Sequence, residues 1–232
     1  MKTILITGMN RGLGKELFNL LIAKGYLVFG VLRNEEVATR LAKELPENGR
    51  IILCDLSSDE CIPSIRAVVK DTPIDLLINN AGIAGSSFRI DDTQSQEIQA
   101  LFNVHCLGAF RTVKAVRTNL TRAENPSVLN LNSRFGSITR QSEGTYGNIA
   151  VSYSYRIAKA AQNMLTNCLR DEFRGRIKFI SLHPGKMKTQ IAQIDADTEP
   201  EMVAAKILQY YENGTFREEN GIAQLDNELI EW

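Results

Sequence analysis

Short apolar runs alternate along this chain with longer stretches whose apolar residues recur every three or four positions. The runs "TILIT" (3–7), "LVFGV" (27–31), "IILCDL" (51–56), "DLLIN" (75–79), "SVLNL" (127–131) and "IKFISL" (177–182) show little polar alternation. Strands covered on both faces have that character. Helical spacing fills the intervals, over 14–24, 35–45, 59–70, 92–119, 153–173 and 199–211. Gly25, Pro46 and Gly175 punctuate three of these helices, and Pro63 fits the first turn of a fourth. Strand–helix alternation at this spacing predicts an α/β fold with a doubly wound parallel sheet and right-handed crossovers. Ligand sites in such sheets lie at the carboxyl ends of the strands.

Composition narrows the class. The chain has 232 residues, 44% hydrophobic, which suffices for one sizeable core and predicts a single domain over 1–232. Lys+Arg and Asp+Glu are both 27, and this balance gives no reason to expect a nucleic-acid partner or an anionic membrane surface. The opening "MKTILITG" is too short in its apolar part for a signal peptide, and no run approaches membrane-spanning length. Cys54, Cys61, Cys106 and Cys168 form no CxxC pair and have no histidine cluster beside them. We expect no metal, no disulfide framework and a cytoplasmic protein with reduced, mostly buried thiols.

Candidate chemistry begins at "TGMNRGLG" (7–14), between the first strand and the first helix. Glycines at 8, 12 and 14 permit tight turns and close approach of a phosphate. Asn10, Arg11 and Leu13 complete the loop, and the helix N-terminus supplies N–H groups. No Gly-Lys-Ser/Thr follows, so this is not a Walker loop. The position after the second strand is held by Arg33, where a carboxylate would bind a ribose 2′-hydroxyl. With Arg11 it favours the 2′-phosphate of NADP(H). The competing reading makes Arg33 a solvated charge and lets Glu35 or Glu36 hold the ribose of NAD(H).

In "VSYSYRIAKAA" (151–161), Tyr155 and Lys159 stand four apart on one helix face, whereas Tyr153 points nearly the opposite way. A neighbouring ammonium favours a phenolate, so the tyrosine pKa is expected to fall. Ser133, in "NLNSRFGSI", follows the fifth strand at the same edge of the sheet. Hydroxyl, phenol and ammonium together suit reduction of a carbonyl, with Tyr155 supplying the proton.

These features, with "NNAG" at 79–82, "YRIAK" at 155–159 and "HPGKMKT" at 183–189, come in the order found in short-chain dehydrogenases/reductases. The chain resembles that family over most of its length. Its size and glycine loop fit the short, single-domain branch. "YSYRIAKAAQNMLT", Trp232 and the length are similar to the C-factor-like and sniffer-like carbonyl reductases. The resemblance implies that Asp55 and Leu56 flank the adenine. Asn80, Ala81 and Gly82 line a cofactor ribose, and Lys159 and Tyr155 touch the nicotinamide ribose. Pro184, Gly185, Met187 and Thr189 hold the nicotinamide amide. It also implies a homodimer or homotetramer formed through helices 92–119 and 153–173.

Two departures stand out. The family often places a relay asparagine three residues before a glycine in the long central helix; here that position, before Gly108, is His105. Either His105 holds the relay water, titrating near neutrality, or it is a neutral core histidine. Asn103 would face elsewhere, and His183 reads as structural. The interval between Ser133 and Tyr155 is also longer than usual; its polar, glycine-containing sequence reads as a surface loop, 134–154, which either walls the substrate pocket or is a passive insertion. The stretch 186–200 covers the substrate in the family and carries Ile191, Ile194, Asp195 and Asp197 here.

The leading expectation is an NADP(H)-dependent oxidoreductase acting on a small-molecule carbonyl or alcohol. The alternatives are an NADP(H)-binding regulator or scaffold with little turnover, or a biosynthetic member with a specialised substrate.

Overall fold

A computed structural model describes residues 1–188, 196–216, 221–225 and 228–232. Thr189, Ile191, Ile194 and Asp195, expected in the substrate-covering stretch, lie outside the described residues.

All six predicted strands are present: β1 Thr3–Thr7, β2 Leu27–Leu32, β3 Gly49–Leu53, β4 Leu76–Asn79, β5 Ser127–Leu131 and β6 Lys178–His183. Two more follow, β7 Ile222–Gln224 and β8 Leu229–Ile230. At three and two residues they are too short to show a period. The strand order is β3-β2-β1-β4-β5-β6-β7-β8, parallel except for the β7–β8 pair. The order reverses between β1 and β4, and the crevice outside that switch point is where such sheets bind ligands.

Alternation along the strands sends side chains into two cores. Ile4, Ile6, Leu76 and Ile78 join the layer with α1 (Gly12–Ala23) and α8 (Pro200–Glu212). Leu5 and Leu77 face the other layer, with α3 (Cys61–Val69), α5 (Gly108–Thr121) and α7 (Tyr153–Glu172). Both faces are covered, so the strands read as unbroken apolar runs. On the first layer's flank, α2 (Glu35–Ala42) is capped by Asn34, whose side chain accepts from the Val37 N–H at 2.8 Å.

The helix expected over 92–119 departs from a continuous α-helix. It comprises α4 (Ser95–Phe102), a π-helical turn (Asn103–Leu107) and α5. The stretch 134–154 is also more than a surface loop. It holds a 3-10 turn (Arg134–Gly136) and α6 (Ile138–Ser142), and the buried rings of Phe135 and Tyr146 meet edge-on at 4.8 Å. Thr139 fastens it to the last residue: its N–H and hydroxyl donate to the Trp232 carbonyl at 2.8 and 2.6 Å. The segment has a small aromatic centre of its own, which its polar composition conceals.

Among the thiols, Cys61 and Cys106 are buried, Cys54 half-buried and Cys168 exposed. Among the described residues, no helix is long and apolar enough to cross a membrane.

Candidate active site

The glycine loop turns from β1 into α1 against the end of β4. Gly8 has φ +71°, which a side chain would resist. A methyl group on Gly14 would lie 2.2 Å from the Gly8 carbonyl and 2.4 Å from Asn80 Nδ2. Asn80 Nδ2 donates to the Thr7 and Gly8 carbonyls at 2.8 and 3.1 Å. The Thr7 hydroxyl accepts from the Asn80 and Ala81 N–H groups, both at 3.0 Å. The loop is thus rigid before any ligand arrives. No side chain caps α1 and no acid occupies its first turn, so its N–H groups and dipole face an anion without competition.

Beside this cradle, Arg33 is exposed at the rim and makes no hydrogen bond or ion pair with any described residue. The Asp55 carboxylate is held below its ordinary range, first by the Ser57 backbone N–H and also by the fields of Arg33 and Arg111. Glu35 and Glu36, the alternative ribose holders, line a separate shallow depression with Arg40 and Lys43. Cradle, uncapped helix and unpaired arginine fit a dinucleotide carrying an extra phosphate.

The other end of the cleft is built by β5, α7 and the π turn. Ser133 is buried at the end of β5, and its side chain accepts from the Phe135 N–H at 3.3 Å. The Lys159 ammonium donates to the Leu131 carbonyl at 2.7 Å and to Gln162 Oε1 at 3.0 Å. Burial pushes it down to about 7. Tyr155, half-buried, has its ring centre 5.7 Å from Lys159 Nζ. The expected fall in the tyrosine pKa is corrected here. Burial pushes the phenol up to about 12, against a hydrogen bond with Ser133 that pulls it down. Desolvation outweighs that hydrogen bond because burial penalises the charged phenolate.

His105 sits in the π turn with its ring edge-on to Tyr155, centroids 5.5 Å apart. Its Nε2 lies 2.9 Å from the Ile83 carbonyl and 3.3 Å from the Ile83 N–H, while Nδ1 is buried with no partner among the described residues. Burial, then the positive Lys159, push it down to about 3. Of the two readings, burial favours the neutral histidine over one that titrates near neutrality. Asn103 faces elsewhere, as expected, donating to the Ser57 carbonyl at 2.9 Å.

One cleft of about 880 Å³ joins both ends. Its walls include Gly8, Asn10, Arg11, Gly12, Leu13, Gly14, Arg33, Asp55, Leu56, Asn80, Ala81, Gly82, His105, Ser133, Tyr155, Lys159, Pro184, Gly185 and Met187. Every sequence-predicted site residue but Thr189, which is outside the described residues, meets there. Sequence reasoning missed Asn132, Gln162 and Asn163. Asn132 Nδ2 donates to Asn163 Oδ1 and to the Lys159 carbonyl, and its Oδ1 accepts from the Ser133 N–H at 2.7 Å. The signal was present: Gln162 follows Lys159 by three and Asn163 by four, neighbours on one helix face.

The sequence profile described as short chain dehydrogenase matches residues 2–200. The chain belongs to the short-chain dehydrogenase family. Carbonyl reductase Sniffer of D. melanogaster superposes on this short-chain dehydrogenase with a TM-score of 0.85 at 29% identity, covering all of both chains. An NADPH-bound carbonyl reductase from chicken fatty liver gives 0.84 at 24%, over 100% of this chain and 99% of that one. C-signal of Myxococcus xanthus is 30% identical over 125 residues, 53% of this chain and 72% of that protein. Membership makes the chain an oxidoreductase by family.

A serine cluster gathers around Glu97 of α4. The Glu97 carboxylate accepts from the Ser86 and Ser87 hydroxyls at 2.8 and 2.9 Å and from Ser154 at 2.5 Å. These bonds, Ser154's first, hold Glu97 down at about 2, against an ordinary 4.5. The contribution of a carboxylate with a depressed pKa is complete above its unfolded value and disappears as pH falls through the folded one. We predict that the wild type loses stability between about pH 4.5 and 2 more steeply than Glu97→Gln. Thermal unfolding at stepped pH checks this; parallel curves would remove Glu97 from the acid response.

Proposed function

We propose that this protein is an NADP(H)-dependent reductase of small-molecule carbonyl compounds, or the corresponding alcohol dehydrogenase in reverse. The convergence of Ser133, Tyr155 and Lys159 on the cleft whose far end holds the glycine loop and Arg33 carries this reading. Arg33, unpaired at the rim, reads the 2′-phosphate together with Arg11. The α1 N-terminus takes the pyrophosphate. Asp55 and Leu56 flank the adenine, Asn80–Gly82 and Lys159 line ribose, and Pro184, Gly185, Met187 and Thr189 hold the nicotinamide. Segments 134–154 and 186–200 shape the substrate pocket, and a cytoplasmic setting suits the reducing cofactor.

Bound NADPH supplies the hydride. The protein's own groups manage the oxygen. The Ser133 hydroxyl and Tyr155 phenol donate to the carbonyl oxygen and polarise it. A phenol pushed up to about 12 keeps its proton at neutral pH, the form that reduction requires. The proton then passes to the developing alkoxide, a stronger base than phenolate. The Lys159 ammonium stabilises the phenolate left behind. His105, neutral and with Nδ1 unpartnered among the described residues, positions a water beside Tyr155. Its presence where the family carries asparagine favours a second reading, a cofactor-binding regulator without turnover.

We further propose a homodimer or homotetramer through α5 and α7. Tyr153, Ile157 and Met164 on α7 and Phe110 on α5 are exposed apolar residues. Met164→Glu is expected to lower the mass seen by light scattering, and an unchanged mass removes this face.

Titration with NADPH and NADH, followed by nicotinamide fluorescence, tests the cofactor. Arg33→Ala is expected to weaken NADPH by about 1.5–3 kcal/mol and NADH far less. Equal losses would deny Arg33 its phosphate. Tyr155→Phe is expected to bind NADPH normally while turnover across a panel of aldehydes and ketones falls about 100-fold or more. A wild type that binds NADPH but turns over nothing in a broad panel supports the regulator.

A further inference from the structure

The loop that leaves β3 for α3 carries Asp55 and Leu56, which the proposed function sets against the adenine. Within the loop the bonds are local turns: the Ser58 N–H donates to the Asp55 carbonyl and the Cys61 N–H to the Ser58 carbonyl, both at 3.2 Å, Asp55 Oδ1 accepts from the Ser57 N–H at 2.9 Å and Ser58 Oγ from the Glu60 N–H at 3.2 Å. Leu56 packs into the core, and the polar anchors that tie the loop to the rest of the fold come from α5 and the π turn. Arg111, on α5, is almost buried, with its side chain 10% exposed. Its NH1 donates to the Leu56 carbonyl at 2.9 Å and its Nε to Asp59 Oδ1 at 2.6 Å. The same NH1 reaches Asn103 Oδ1 at 2.7 Å, and the Asn103 carbonyl at 3.4 Å. Asn103 closes the circuit by donating Nδ2 to the Ser57 carbonyl at 2.9 Å.

We propose that Arg111 is a positioning residue for the adenosine end of the cofactor. Through Leu56 and Asp59 it fixes the 55–59 loop against the π turn, and so sets the adenine wall. This rests on the cofactor reading above. The ion pair contributes little by itself, because the Asp59 side chain is 77% exposed. The forked geometry of the guanidinium matters: a carbonyl, a carboxylate and an amide oxygen are reached from one planar group. A lysine keeps the charge and cannot reach all three.

The test measures Kd for NADPH, NADH and adenosine 2′,5′-bisphosphate on wild type, Arg111→Lys and Asn103→Ala, with Tm recorded for each. The adenosine moiety is common to all three probes. Arg111→Lys is therefore expected to weaken all three by a similar factor, about tenfold or more, while still folded at the assay temperature. Asn103→Ala, which keeps Arg111 but removes one of its anchors, is expected to act in the same direction. It decides the matter if Arg111→Lys does not fold. A purely structural role would lower Tm and leave the three Kd values of the folded variant unchanged, which would overturn the proposal. Loss confined to NADPH and adenosine 2′,5′-bisphosphate, the two probes that carry a 2′-phosphate, would also overturn it, because Arg111 would then act on that phosphate by its field. A wild type that binds none of the probes would defeat the cofactor reading, and this inference with it.

Discussion

The site depends on the polar seam between α7 and the ends of the central strands. Asn130 Nδ2 donates to the Thr166 hydroxyl at 2.8 Å, and the Ser181 hydroxyl to Asn163 Oδ1 at 2.7 Å. Asn163 Nδ2 donates to the Gly136 carbonyl at 3.1 Å, and Lys159 to that of Leu131. Apolar packing alone tolerates a helix sliding along a sheet, because the hydrophobic effect has no direction. Buried hydrogen bonds do not, because each group left unpaired costs about 1–3 kcal/mol. The seam therefore fixes the register of α7. Register is what delivers Tyr155 and Lys159 to Ser133 rather than one turn away. The seam extends across the sheet, where Asn79 donates to Asn130 and accepts from Thr112 of α5.

The same burial that makes those bonds strong sets the electrical state of the cleft. Tyr155 keeps its proton, His105 stays neutral and the Lys159 ammonium is weakened to about 7. All three are pushed towards neutrality by desolvation, with His105 and Lys159 buried and Tyr155 half-buried in the cleft wall. Positive charge is concentrated instead towards the other end, at Arg11 and Arg33 along the rim. The cleft is polarised along its length, with its anion-binding half and its proton-handling half built on opposite sides of the β1–β4 switch point.

Much of this was legible in the sequence, and the reason is geometric. Gly8, Arg33, Asn80 and Pro184 follow a strand directly and Asp55 and Ser133 one residue later, and parallel strands bring their carboxyl ends to one edge. Knowing the strands was enough to gather the residues. Four things were hidden. The π turn depends on one residue more than an α-helical turn would hold, and no periodicity over 92–119 reports it. Phe135 and Tyr146 pack together across a polar, glycine-containing segment that looks like solvent-exposed loop. The tyrosine pKa ran opposite to expectation because helical spacing shows which charge is near, whereas burial, the larger effect here, depends on every element around it. Arg111 was hidden likewise, since its partners at Leu56 and Asp59 are close only in the folded chain.

The π turn also bears on where this chain tolerates a change of length. Each residue of an α-helix advances about 100° around its axis. The π turn at 103–107 holds one residue more than an α-helical turn, so a single deletion there can be absorbed by closing it as α-helix, whereas a deletion in α5 at 108–110 would swing everything after it by that angle. Arg111 would leave the Leu56 carbonyl and Thr112 would leave Asn79, while the composition of the chain hardly changed. The segment 134–154 differs, because its ends are pinned by Ser133 and by Ser152 at the start of α7, and its interior can lengthen between them. The chain has room for insertion there, and almost none in α5 between Gly108 and Thr112.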